Sequence, residues 1–202
     1  MPDTKHQRRK DARPDEIISA ALAEFGDKGF ASTSMGSIAA RAGIARPTVY
    51  LYYPTKDAIF EAAVTDRMGG MVSRAQDILA VDARFDLMLE QVLRSYYDRI
   101  VGTDASALIR VLIAEGGRFP ALTSFFRTTM LGTMEGLLSA LVAKGIAQGE
   151  LRAAVQDMDL KVIIAPAVFT LVFGLIFGPM DDTAKERFIR SHLSIILNGL
   201  RA

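Results

Sequence analysis

Gly43 and Pro47 stand four positions apart in the stretch Thr33–Lys56, TSMGSIAARAGIARPTVYLYYPTK, and between them they permit little but a tight turn. Gly43, following Ala42, supplies the left-handed conformation at which a helix ends. Pro47, following Arg46, suits the first turn of a new helix, where its missing N–H leaves no hydrogen bond unmade. Upstream, Ser34 is a good N-cap, and Ile38, Ala39 and Ala42 recur at helical spacing on one side. Downstream, Val49 faces in while Thr48, Tyr50 and Tyr52 face out, and Ile44 plugs the turn. Two short helices joined this way form a helix-turn-helix, whose second helix fits a DNA major groove.

The rest of the chain repeats apolar residues at three- and four-residue spacing. A first helix from Pro14 to about Lys28 buries Ile17, Ile18, Ala21, Leu22 and Phe25, with Asp15 and Glu16 at its positive end and Gly29 as its stop. Thr55 caps a longer helix over 56–79 that weakens at Gly69-Gly70. Further helices are expected over 85–101, 105–115, 120–148, 157–177 and 183–200, the fourth of these unusually apolar. No alternating strand pattern occurs, so the expected class is all-α. The 56–79 helix serves both halves, which makes a domain boundary near residue 71 a convention rather than a linker.

Residues 15–60 resemble the N-terminal domain of the TetR family of bacterial transcriptional regulators. The resemblance rests on Ile18, Ala20, Ala21, Phe25, Gly29 and Phe30, then Thr33-Ser34, Ile38-Ala39, Ala42-Gly43-Ile44, and Thr48-Val49-Tyr50 through Tyr53 to Lys56-Asp57. Two positions depart from the family pattern. Pro47 stands where many members have glycine, and Gly36 stands where members often carry a side chain that reaches DNA. The resemblance implies a three-helix helix-turn-helix DNA-binding domain over 11–71, after an arm at 1–10, and a helical ligand-binding and dimerisation domain over 72–202. It also implies that Arg46, Pro47, Thr48 and Tyr50, at the exposed start of the second helix, read base edges. Ser34, Tyr52 and Lys56, at helix starts and ends, are expected to hold phosphates.

Charge is distributed in keeping with this. Residues 1–56 hold nine Lys/Arg against six Asp/Glu, a balance of +3, and the remaining residues total −2. The excess sits at Lys5, Arg8, Arg9, Lys10 and Arg13. Such an arm either follows a phosphate backbone or enters a minor groove, or it is a solvated tail. There is no cysteine, which fits a reducing compartment, and the N-terminus lacks the apolar core of a signal peptide. A cytoplasmic location is expected.

Residues Val162–Met180 run for nineteen positions without a charge, long enough for a single membrane span. Pro166 interrupts them, and Asp157, Asp159, Asp181 and Asp182 flank them closely. A helix apolar all round is also what a subunit interface produces. In the family, the last two helices pair with their copies in a four-helix bundle, so residues 157–200 are expected to form a homodimer and no membrane partner is expected.

Nothing supports an enzyme: no catalytic constellation, metal-ligand cluster, phosphate loop or cofactor motif occurs, and His6 and His192 lie apart from other strong ligands. Methionines and aromatics crowd residues 68–173, either as ordinary core or as the lining of an adaptable apolar cavity. The residues expected to line one are Tyr96, Arg110, Arg118, Phe119, Phe126, Met130, Phe169 and Phe173, with Glu115 a further charged candidate. The combined expectation is a homodimeric repressor that a small apolar effector releases from a palindromic operator. A ligand-independent DNA-binding factor or an activator of the same fold is the alternative, and a single-span membrane protein a remote one.

Overall fold

A computed structural model describes residues 13–101 and 103–201. The basic arm at 1–10 and His6 lie outside them. In chain order the helices are α1 (Arg13–Lys28), α2 (Met35–Arg41), α3 (Arg46–Tyr52), α4 (Lys56–Ala80), α5 (Phe85–Arg99), α6 (Ser106–Glu115), α7 (Pro120–Phe126), α8 (Gly132–Ala147), α9 (Lys161–Phe177) and α10 (Asp182–Leu200). A π-helical segment, Arg127–Leu131, joins α7 to α8, and a 3-10 segment, Ala153–Asp157, precedes α9. Among the described residues, extended pairing is limited to one isolated bridge between Leu151 and Arg201.

The chain divides into two compact units, each assembled from two separate segments. The first unit takes the chain through Arg67 together with Asp104–Phe126; the second takes Met68–Thr103 and Arg127 onward. The first cut falls inside α4, which continues as helix through Gly69-Gly70.

In the first unit, the aromatic core explains why α6 and α7 belong with the N-terminal helices. The rings of Phe25, Phe30 and Phe60 meet with centres 5.1, 6.0 and 6.4 Å apart, and Phe119 approaches Phe30 edge-on at 5.0 Å. Packing of α6 against α1 buries Leu108 and Val111. The expected face of α1 is inside: Ile17, Ile18, Ala21, Leu22 and Phe25 are all buried.

The second unit is built around α5, which packs against α8, α9 and α10. One buried polar chain ties three of these helices. Tyr97 on α5 lies 3.0 Å from His192 Nδ1 on α10, and His192 Nε2 lies 2.9 Å from the Ile163 carbonyl on α9. A carbonyl only accepts, so Nε2 carries the proton and the Tyr97 hydroxyl donates to Nδ1. Burial holds the His192 pKa below its ordinary value and pushes Tyr97 up to about 12.

Two expected helices came out differently. The single helix over 120–148 is interrupted by the π-helical segment, which inserts a wider turn where the chain passes between units. The helix expected over 157–177 starts later, at Lys161 after the 3-10 segment, and ends at Phe177 as expected. Gly178, at φ +90°, closes α9 after 17 residues, and Pro166 is accommodated inside it. Among the described residues, the stretch Pro120–Ala147 is long and apolar enough to cross a membrane, and a third of its most apolar window is buried within the protein.

Candidate nucleic-acid interface

Local chemistry fixes the two short helices closely. Ser34 Oγ accepts the Ser37 N–H and Ser37 Oγ accepts the Ser34 N–H, both at 3.1 Å, a reciprocal capping box at the start of α2. At the other end, Gly43 at φ +66° lets its own N–H reach the Ala40 carbonyl and the Ile44 N–H reach the Ala39 carbonyl. That pair of bonds is the Schellman closure, and it turns the chain directly into Ala45, the cap of α3. Val49 is the buried anchor of α3.

Opposite Val49, α3 presents the residues expected to read bases. Arg46, Pro47 and Tyr50 are exposed and Thr48 is half-buried. Arg46 Nη2 donates to the Tyr50 hydroxyl at 3.1 Å, and its guanidinium lies 5.6 Å from that ring's centre. The pairing restrains a long, exposed side chain before any partner arrives. A Cβ on Gly36 would lie 3.7 Å from Ser34 Oγ and 4.0 Å from Arg46 Cδ, so the glycine leaves the flank of Arg46 open. Ser34 is exposed and Tyr52 half-buried at the two ends of the motif.

Behind this surface an ion cluster holds α2 to α1. Glu24, only 2% exposed, receives Lys28 Nζ at 2.9 Å and Arg41 Nε at 2.7 Å, and Arg41 Nη2 reaches Asp27 at 2.6 Å. Hydrogen bonds from Lys28 foremost, then from Arg41 and Ser37, outweigh burial and hold the Glu24 carboxyl down to about 2. No motif signals this residue, because its partners come from two helices and only Lys28 is at helical spacing.

Lys56, expected to hold a phosphate, stands with its ammonium in the turn before α2. Its ammonium donates to the carbonyls of Phe30, Ala31 and Thr33 at 2.6, 3.2 and 3.0 Å. An ammonium has three donors, and all three are engaged inside the protein. Glu115 belongs to the same turn: its two carboxylate oxygens accept the N–H groups of Phe30 and Ala31 at 2.5 and 2.8 Å. Eighty-five residues separate Glu115 from Phe30, so local sequence carries no trace of the contact.

Comparison with known proteins decides what this surface belongs to. Residues 17–63 match the model for bacterial regulatory proteins of the tetR family, and residues 82–191 match the tetracyclin repressor-like C-terminal domain. The chain belongs to the TetR family. Among relatives of this TetR-family regulator, the fatty acid metabolism regulator protein of Bacillus subtilis (strain 168) is 24% identical over 83% of this chain and 79% of its own. The transcriptional repressor KstR2 of Mycolicibacterium smegmatis is 25% identical, covering 98% of this chain and 95% of that protein. Among solved structures, FadR from Bacillus subtilis in complex with stearoyl-CoA superposes with a TM-score of 0.74 at 19% identity, over 92% of this chain and 98% of that one. Membership makes the protein a DNA-binding transcriptional regulator rather than an enzyme.

The residues expected to line an effector cavity do not gather in one unit of this TetR-family regulator. Tyr96, Met130, Phe169 and Phe173 fall in the second unit; Arg110, Arg118, Phe119 and Phe126 fall in the first. Phe119 is engaged with Phe30 and the ammonium of Lys56, and Arg118 lies over the Phe119 ring at 5.5 Å. Arg110 is exposed, as is Phe169, whereas Tyr96 and Met130 are buried. Concavities lined by residues of the second unit are found among the described residues. One of about 130 Å³ is bordered by Tyr97, Thr170, Asp182, Lys185 and Phe188, and one of about 470 Å³ by Val142, Ala143, Ile146, Ala147 and Leu160.

Proposed function

We propose that this regulator is a homodimeric repressor, acting in the cytoplasm, whose two α3 helices bind the half-sites of a palindromic operator and which a small hydrophobic effector releases. The observation that carries the reading is the uncovered apolar surface of the last two helices. Val162, Val168, Phe169, Ile176 and Phe177 on α9 and Ile195 on α10 are all exposed in the single chain. An apolar face of this extent on a soluble fold calls for a covering partner, and a second copy of the same helices supplies one with matched chemistry. Two copies of α3 then face successive major grooves, which is why the operator is a palindrome.

Relatives support the repressor and effector parts: one is named a repressor, one regulates fatty acid metabolism, and one holds stearoyl-CoA. Acyl chains are therefore the first effector class to test, with the second unit as the receiving unit. An effector preferring the DNA-incompetent form about 100-fold shifts the balance by about 2.7 kcal/mol, and DNA weakens that effector's binding by the same factor. The test is fluorescence anisotropy on a duplex selected from a random pool, titrated with fatty acids and acyl-CoAs from short to long chain. Release by the longer chains, with a raised melting temperature, supports the reading. A duplex held unchanged across a broad apolar panel makes the ligand-independent factor the better account.

A further inference from the structure

The turn from Gly29 to Thr33 is held by two charged side chains, neither of which belongs to it. Its donors, Phe30 N–H and Ala31 N–H, go to the Glu115 carboxylate, and its acceptors, the carbonyls of Phe30, Ala31 and Thr33, go to the Lys56 ammonium. The fit leaves little slack. Gly29 sits at φ +78°, and a Cβ there would stand 2.7 Å from Glu115 Oε1. The Phe30 ring lies under the ammonium at 4.5 Å, with Phe119 against its edge. Thr33 Oγ1 closes the turn by donating to the Gly29 carbonyl at 2.8 Å. The next residue is Ser34, whose side chain and N–H make the cap of α2.

We infer that Glu115 is a positioning residue for DNA binding: acting through this turn, with Lys56 as the opposing half of the clamp, it sets where Ser34 and α2 stand and so tunes operator affinity from α6 without touching DNA. Three features carry this. The clamp grips backbone rather than side chains, so it fixes the path of the chain into α2. The bonds are charge-assisted, which makes them stronger than neutral equivalents and hard to replace by an amide. A glutamine at 115 would offer one N–H of the turn an NH₂ group in place of an oxygen. Finally, α2 packs against α3, so a displaced turn displaces the helix that enters the groove.

The inference rests on DNA binding by the wild-type chain, and its test separates the two. The full-length protein, Glu115→Gln and Lys56→Met are titrated against a duplex selected by the wild type, at several salt concentrations, alongside their melting temperatures. Each variant is expected to bind about tenfold or more weakly, on the scale of losing a bond to a charged group. The slope of log affinity against log salt stays at the wild-type value, since no phosphate contact has gone. A slope reduced by about one unit per lysine removed returns Lys56 to the phosphate backbone and overturns the clamp. Wild-type affinity in Glu115→Gln overturns it as well. The wild type alone provides a measurement immune to misfolded variants. Amide hydrogen exchange at Phe30 and Ala31 should be slower in the DNA complex than in the free protein, and equal or faster exchange refutes the proposal. A wild type that selects no duplex fails at the level of DNA binding itself, before any variant is compared.

Discussion

Arg46 concentrates the specificity argument in one side chain. It stands on the exposed side of α3, braced by the Tyr50 hydroxyl and ring, with Gly36 leaving its flank clear. Arg46→Ala should cost about 1–3 kcal/mol in operator affinity and relax preference at one base pair per half-site. Binding to a library of single-base operator variants checks this, and a uniform loss across the library would make Arg46 a phosphate contact instead. Glu24 gives a pH prediction of definite sign. Its folded pKa, about 2, is below the ordinary value of 4.5, so its contribution to stability is complete above pH 4.5 and is lost as pH falls through the folded value. Glu24→Gln should therefore be the less stable protein at neutral pH, and its deficit should shrink as thermal melts are repeated from pH 4.5 down towards 2. A deficit that stays constant over that range would mean the carboxylate charge is not what matters.

At the scale of elements, the readable parts were those whose causes are local. The Schellman closure at Gly43, the caps at Ser34 and Thr55, and the buried face of α1 all follow from residues within one turn of each other. The parts that local sequence does not show depend on distant partners. Lys56 resembles a phosphate contact by position, yet the carbonyls that consume its donors come from the α1–α2 turn, 23 to 26 residues away. The π-helical segment has no signature in RTTML, because the width of a turn there answers to packing on either side. The last two helices show the same division. On α10 the inward face follows helical spacing, with Ile189 2%, Leu193 7% and Leu200 4% exposed, whereas Ile195, off that stripe and 74% exposed, has no cover that nearby residues could announce. That difference designs the dimer test. Ile195→Glu, or Phe177→Glu on α9, should give a folded monomer by light scattering at micromolar concentration, with specific DNA binding lost. Leu193→Glu, with its charge in the protomer core, should unfold the chain. A monomeric wild type at the same concentration ends the dimer proposal.

At the scale of the molecule, the chain passes between its units three times, after Arg67, Thr103 and Phe126. The DNA-binding unit is thus assembled from two separated segments, and a fragment cut at residue 71 lacks α6, the Glu115 carboxylate and Phe119. Such a fragment should show a broad, early melt by circular dichroism and bind the selected duplex poorly. A sharp melt near that of the whole protein would show that α1 to α4 suffice. The same layout imposes an order on synthesis. At translation rates of about 5–20 residues per second, the ribosome needs roughly 3–12 s to extend the nascent chain from Arg67 to Phe126. Until then the DNA-binding unit waits with its turn at Gly29–Thr33 gripped on one side only, while Met68–Thr103, which belong to the other unit, have already been made. The first helices to be made are therefore among the later ones to be locked, and a nascent regulator cannot occupy its operator in final form before the middle of its own sequence has been translated.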